Sequence, residues 1–481
     1  RLMGKWQKEL SLMRRFSMEH YHRFFNPHSI AIIGASGKTG PGSYNLMENL
    51  MKEDCTARLY PVNIRAKEVL GHKAYASVVD LPESVDLAVI TVPRTAVPPA
   101  LRDCVRKGIP SVVIITQGFA DADEEGRRMQ EEMLEIIRGS DTRVIGPNSI
   151  GVANAFDNFH TSFQPFDLFQ KENAMICQSG MFILASADFT NGLGLGVDIG
   201  NAADVGFSEL LPCLARDSRI EVINLHMEGL AHGREFMEAA AKITPTKPVV
   251  VYKSGRSTEG AKAAASHSAS LAGEDKVIHA AFKKAGVIRA ENLEEMNDLN
   301  KAFLTYPQLN GKRFAVITLS GGGGIAVIDA LAQYGMELAT PGPETMAALQ
   351  AMNPPWLRAG NPVDTWMASL KNGLARTSVE ILHLLLNDKQ VDGVIVLLNA
   401  YRATGFTVLG EMIDGIVHEA GKFREKPVVL WAFGANRDEV IERAEQSGLV
   451  AGFTGPERAA RAMAGLYGYY RETKSRNIAG A

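Results

Sequence analysis

The chain has 481 residues, 46% hydrophobic and 22% charged, with a formal net charge of -3 at pH 7. That composition is ordinary for a globular protein, and the near-neutral balance excludes a nucleic-acid or membrane-surface binder built on bulk charge. At roughly 150 residues per domain, the length predicts about three domains.

Cys55, Cys104, Cys177 and Cys213 are scattered, without metal-ligand spacing. They read as free thiols in a reducing compartment, and no metal site is expected. No apolar run reaches the roughly 20 residues of a membrane span. Residues 1–17 (RLMGKWQKELSLMRRFS) are basic but lack the apolar core of a signal peptide. Residues 1–21 therefore read as an extension ahead of the first domain, and the expected location is cytoplasmic.

SIAIIG (29–34) is a short apolar run ending in glycine, the pattern of a buried parallel strand. TARLYPVN, VDLAVITVP (85–93), SVVIITQGF (111–119) and RVIGPN (143–148) repeat that pattern, with helical stretches at 97–107 and 123–138. Strand and helix in alternation predict a doubly wound, Rossmann-like domain over 22–148. Gly34, Gly37 and Gly40 occupy its first strand-to-helix turn, which presents backbone N–H groups to a diphosphate. GKT (37–39) is not a P-loop, because the first glycine of that motif falls at Ile32. The second strand ends in Asn63 where a dinucleotide fold places an acid. Arg65, Lys67 and Lys38 instead suit a ligand with an extra phosphate, either NADP or coenzyme A. The plainer alternative is that the glycines serve only tight packing.

A second domain, 149–308, contains NAMICQSG (173–180) followed by a helix over 181–190, a further strand-to-helix anion cradle. IEVINLHMEG (220–229) ends in Glu228, and KPVVVYKSG (247–255) leads into SHSASLAG (266–273). That last stretch reads as a loop of small residues entering a helix, with His267 exposed among them. A neutral imidazole there is placed to accept a phosphoryl group, and a carboxylate such as Glu228 fixes its tautomer. The alternatives are a surface-loop histidine and a surface salt bridge. A third domain, 309–472, opens with FAVITLS and the run Gly321 to Gly324 ahead of the helix IAVIDALAQYG. That glycine run is a third cradle or else a flexible loop. Residues 473–481 read as a polar, frayed tail.

With these pieces in order, residues 22–470 resemble the ADP-forming acyl-CoA synthetases, relatives of succinyl-CoA synthetase. The resemblance is carried by FFNPHSIAIIGAS, YPVN, IGPNS, QSG, MEG, SHSASLAG, the glycine run and NPVD (361–364). It implies a Rossmann-like domain followed by two flavodoxin-like domains. It implies a coenzyme A role for Gly34, Ser36, Gly37, Lys38, Asn63, Pro93 and Thr116. It implies that His267 is the phosphohistidine, that Glu228 orients it, and that Ser179-Gly180 and Gly322, Gly323 and Gly324 cradle phosphate. Departures are Ser268 and Ala269 after the histidine, Ile64 for a proline and Ser149 for a cysteine, which leave acyl specificity open. The family also uses an ATP-grasp domain that binds ADP or ATP with Mg²⁺. With 310–470 read as a third doubly wound unit, that domain is expected on a partner chain, this one being the alpha-type subunit of a hetero-oligomer. A non-catalytic CoA-binding module and an NADP-dependent oxidoreductase are the competing functions.

Overall fold

The structure is a computed structural model that describes residues 16–40, 42–53, 55–268, 274–401 and 406–479; the side chains of 265–268, 406, 407 and 474–479 lie outside that description. The chain divides into two compact units, Arg1–Ala290 and Glu291–Ala481.

The first unit holds two sheets. In chain order the first comprises β1 (Ser29–Ile33), β2 (Arg58–Val62), the small hairpin β3 (Glu68–Val69) and β4 (His72–Lys73) beside it, then β5 (Leu87–Ile90), β6 (Ser111–Ile114) and β7 (Arg143–Ile145). Its five-stranded order is β2-β1-β5-β6-β7, all parallel. Every residue of β1, β5, β6 and β7 is buried, as strands covered on both faces must be. The second sheet comprises β8 (Gly151–Asn154), β9 (Phe159–His160), β10 (Asn173–Cys177), β11 (Leu195–Asp198), β12 (Val222–Met227), β13 (Val249–Lys253) and β14 (Ile288–Ala290). Its order is β14-β13-β12-β10-β11-β8-β9, with β8 and β9 running antiparallel at one edge.

One apolar core joins these layers: Phe24 and Phe25, Ile30 and Ile32 of β1, and Ile176 of β10 belong to a single buried cluster. Helix Met18–Phe25 is part of it, capped by Ser17, with Tyr21, Phe24 and Phe25 fully buried. Residues 18–21 are therefore core rather than extension, because a helix with three buried aromatics cannot be cut at residue 22 without exposing them.

The second unit carries a six-stranded parallel sheet: β15 (Arg313–Thr318), β16 (Glu337–Leu338), β17 (Val363–Asp364), β18 (Gly393–Asn399), β19 (Val428–Phe433) and β20 (Ala451–Phe453). The order is β16-β15-β18-β19-β20, with β17 paired to β15. Helix Leu293–Thr305 belongs to this unit, tied to helix Pro456–Ala479 by the buried Asp298, which receives two hydrogen bonds from Arg458 at 3.0 and 2.6 Å. That last helix continues to Ala479, so the expected frayed tail from 473 is helical instead. Among the described residues no helix is long and apolar enough to cross a membrane, and no cluster of His, Cys, Asp or Glu suits a metal ion.

Candidate active site

The loop between β1 and helix Leu46–Lys52 contains most of the residues expected at coenzyme A. Gly34 has φ +93°, and a Cβ there would lie 2.9 Å from Thr91 Oγ1 and 3.0 Å from Val92 Cγ1. Only glycine passes under that neighbouring strand end. At Gly37, by contrast, a Cβ would meet nothing within 4 Å, so the backbone there is open to a ligand. Gly37 and Lys38 are exposed, as are Arg65 and Lys67 at the end of β2. The helix starts at Leu46, later than the glycine turn suggests. Asn45 caps it through Oδ1, and its Nδ2 donates to the carbonyls of Ser36 at 2.8 Å and Lys38 at 2.7 Å. Ser36 Oγ in turn accepts from the Lys38 N–H at 3.1 Å. Asn63 ties two turns together: Nδ2 donates to Ala35 O at 2.9 Å, and Oδ1 accepts from the N–H groups of Arg65 and Ala66 at 2.8 and 2.9 Å. An open backbone and exposed cations on a braced loop fit the diphosphate and extra phosphate of coenzyme A.

Pro93 and Thr116, at the ends of β5 and β6, line a cleft of ≈ 670 Å³ together with Gln178, Ser179 and Gly180. Thr116 Oγ1 donates to Val92 O at 2.7 Å, and its carbonyl accepts from Asn148 N–H at 2.9 Å, which joins the strand ends of the first sheet. The cleft thus brings two of the residues expected at coenzyme A beside the Ser179-Gly180 cradle. Gly34, Ser36, Gly37, Lys38 and Asn63 are not among its lining residues.

The turn after β10 differs from the expected single helix over 181–190. Two short helices, Met181–Leu184 and Ser186–Thr190, meet at Ala185, whose φ of -108° and ψ of 31° break the helical path. Gly180 packs so tightly on Ile150 that a Cβ would sit 2.8 Å from Ile150 Cγ2. Glu228 follows β12 and is buried. Its N–H donates to Gln178 Oε1 at 2.7 Å, so the cradle turn and the Glu228 turn are hydrogen-bonded to each other.

Sequence reasoning missed three neighbours. Lys253, at the end of β13, is 3% exposed, and its Nζ donates to the carbonyls of Glu228 (2.7 Å) and Ser254. Burial pushes its pKa down. His226 is buried, stacked on Phe182 with centroids 3.8 Å apart, and its Nε2 is 2.8 Å from Ser254 Oγ. Asp198 Oδ2 accepts from Ile150 N–H at 2.9 Å in the cleft wall. The signal for Lys253 was a lysine ending an otherwise apolar parallel strand. Cys177 is fully buried, and burial pushes its thiol up, so it is no thiolate nucleophile.

His267 falls at the end of helix Thr258–Ser268, not in a loop entering a helix; its side chain lies outside the described residues, as do residues 269–273. The run AKAAAS (261–266) has the strongest helix formers in the region, which carries the helix through the histidine. In the second unit, Gly321 to Gly324 form the first turn of helix Gly321–Gln333 rather than a loop ahead of it. Ser320 Oγ accepts from Gly323 N–H at 3.4 Å. Gly323 and Gly324 pack on Leu397 and Pro362, whereas Cβ atoms at Gly321 and Gly322 would meet nothing within 4 Å.

Two domain families match this chain: residues 28–155 match a CoA binding domain, and residues 170–303 a succinyl-CoA ligase-like flavodoxin domain. The class so defined is an acid–thiol ligase built around coenzyme A. The alpha subunit of ADP-forming acetate–CoA ligase II from Pyrococcus furiosus is 37% identical over 450 residues, covering 92% of this chain and 96% of that one. ADP-forming acetate–CoA ligase I from Archaeoglobus fulgidus is 35% identical over 451 residues, covering 93% of this chain but 63% of that longer protein. A solved dinucleotide forming acetyl-coenzyme A synthetase 1 from Ca. Korarchaeum cryptofilum, in complex with phosphate and ADP, superposes with a TM-score of 0.85 at 31% identity, covering 96% and 99% of the two chains. The chain belongs to the ADP-forming acyl-CoA synthetases, relatives of succinyl-CoA synthetase, and matches their alpha subunits.

Proposed function

We propose that this chain is the CoA-binding, phosphohistidine-carrying part of an enzyme that interconverts acyl-CoA, ADP and phosphate with acid, CoA and ATP. The observation that carries this reading is the single cleft lined by Pro93 and Thr116 of the CoA binding domain and by Ser179 and Gly180 of the ligase-like domain. A thioester delivered from one side would there meet phosphate held on the other.

The chemistry divides into three displacements. A phosphate oxygen attacks the thioester carbonyl, forming a C–O bond as the C–S bond breaks and CoA leaves, taking a proton as the thiol. An imidazole nitrogen of His267 attacks phosphorus, forming an N–P bond as the carboxylate leaves. A β-phosphate oxygen of ADP then takes the phosphoryl group and frees the imidazole. Glu228 holds the imidazole tautomer, and the N–H groups of Ser179-Gly180 and Gly322 to Gly324 neutralise phosphate charge at the two ends of the transfer. Gly34, Ser36, Gly37 and Lys38 receive the CoA phosphates, with Asn63 bracing their loop. ADP or ATP, with Mg²⁺, belongs to an ATP-grasp partner chain; the alpha-subunit naming of the Pyrococcus relatives supports a second subunit. A domain limit near 149 follows the same reading, with the cytoplasm as the location.

Two measurements test this. Coenzyme A, and not NADP, should raise the melting temperature of the chain. With an ATP-grasp partner, Mg-ADP and phosphate, an acyl-CoA should yield ATP. Stabilisation by NADP alone would overturn the assignment.

A further inference from the structure

Gln178 ends the β10 turn, lines the ≈ 670 Å³ cleft and is only 9% exposed. Its Oε1 accepts two hydrogen bonds at once, from Glu228 N–H at 2.7 Å and Gly229 N–H at 3.0 Å. Two donors saturate an amide oxygen, and they settle its orientation, since the opposite rotamer would set an NH₂ against two N–H groups. The Nε2 end is thereby fixed as well. Among the described residues nothing accepts from it; the two bonds to Oε1 are the side chain's hydrogen bonds. The rest of the side chain is enclosed, but the NH₂ itself is open to the cleft, and there its natural acceptor is a ligand oxygen.

We propose that Gln178 is a catalytic residue of the first displacement: Nε2 donates to an anionic oxygen of the phosphate group in the cleft while Oε1 holds the Glu228 turn. The donation moves no proton; it favours the charged oxygen as the C–O bond forms. One side chain then links the place where phosphate meets the thioester to the carboxylate that orients the histidine. The inference rests on the reading of the cleft given above.

Gln178→Glu separates the two roles. A carboxylate still accepts from Glu228 and Gly229 N–H, but it offers no donor and repels an anion. In the complex with the ATP-grasp partner, assayed with acetyl-CoA, phosphate and Mg-ADP, kcat/KM for phosphate should fall roughly a hundredfold or more at pH 7, as when one oxyanion donor is lost. The CoA dissociation constant should stay within about threefold, because the CoA loop is untouched. Activity relative to the parent should recover as pH falls through the carboxylate range, where the protonated acid regains a donor. Gln178→Met, uncharged and of similar length, covers the case in which the Glu variant fails to fold; it should show the same loss for phosphate with CoA binding kept. Either folded variant within about threefold of the parent would overturn the proposal and leave Gln178 a brace for Glu228. A parent complex inactive with every acyl-CoA offered would instead sink the underlying functional reading.

Discussion

The ammonium of Lys253 donates to the carbonyl oxygen of Glu228 at 2.7 Å, reaching from the end of one strand to the turn that follows its neighbour. Both residues are buried, and the same ammonium also donates to Ser254 O; burial pushes the lysine pKa down, with the Asp275 carboxylate opposing it. Lys253→Met should leave both carbonyls without that donor. Hydrogen bonds to charged groups are worth about 1.5–3 kcal/mol. We expect a melting temperature lower by a few degrees and slower phosphoryl transfer, with CoA affinity unchanged. Loss of CoA affinity with normal transfer would separate Lys253 from the Glu228 turn.

Asn45 carries a prediction for coenzyme A. Its side chain caps helix Leu46–Lys52 and holds the Ser36 and Lys38 carbonyls. Asn45→Ala removes a cap worth about 1 kcal/mol and frees the loop. The CoA dissociation constant should rise several-fold in a calorimetric titration. If stability falls while CoA affinity holds, this loop does not carry the ligand.

Tyr21 Oη donates to Asp217 Oδ2 at 2.7 Å, pinning helix Met18–Phe25 to the second sheet's layer. Burial raises the Asp217 pKa, but hydrogen bonds from Arg219 and Tyr21 outweigh it and hold the group at about 2, below its ordinary 3.8. A depressed carboxylate contributes stability that is full above its unfolded pKa and is lost as pH falls through the folded one. Melting curves of the parent and of Asp217→Asn should therefore differ most at neutral pH and converge between about pH 4 and 2. A constant gap across that range would contradict the shift.

The long buried strands were legible because parallel strands read as apolar runs: β1, β5, β6, β12 and β13 all fell inside predicted segments. β11 was not, since it lies in GLGLGVDIG, where glycine hides the pattern. Its glycines answer to crowding, as a Cβ on Gly196 would lie 2.9 Å from Leu193 Cδ2. The antiparallel edge of β8 and β9 was also missed, being two short strands without apolar runs. At the site, motif residues were visible as residues, but their supports were not. Gln178 and Lys253 act through backbone groups 50 and 25 residues away, and such bonds leave no local signature. The helical state of residues up to Ser268 was obscured by the small residues around the histidine, read as loop where alanine favours helix.

The most direct test is to incubate the chain with its ATP-grasp partner and Mg-ATP labelled at the γ-phosphate, then locate the label. The account predicts one phosphoryl group on His267, stable in alkali, lost in acid as an N–P bond is, discharged by ADP and absent from His267→Asn. Acid-stable label, or label that survives His267→Asn, would contradict it.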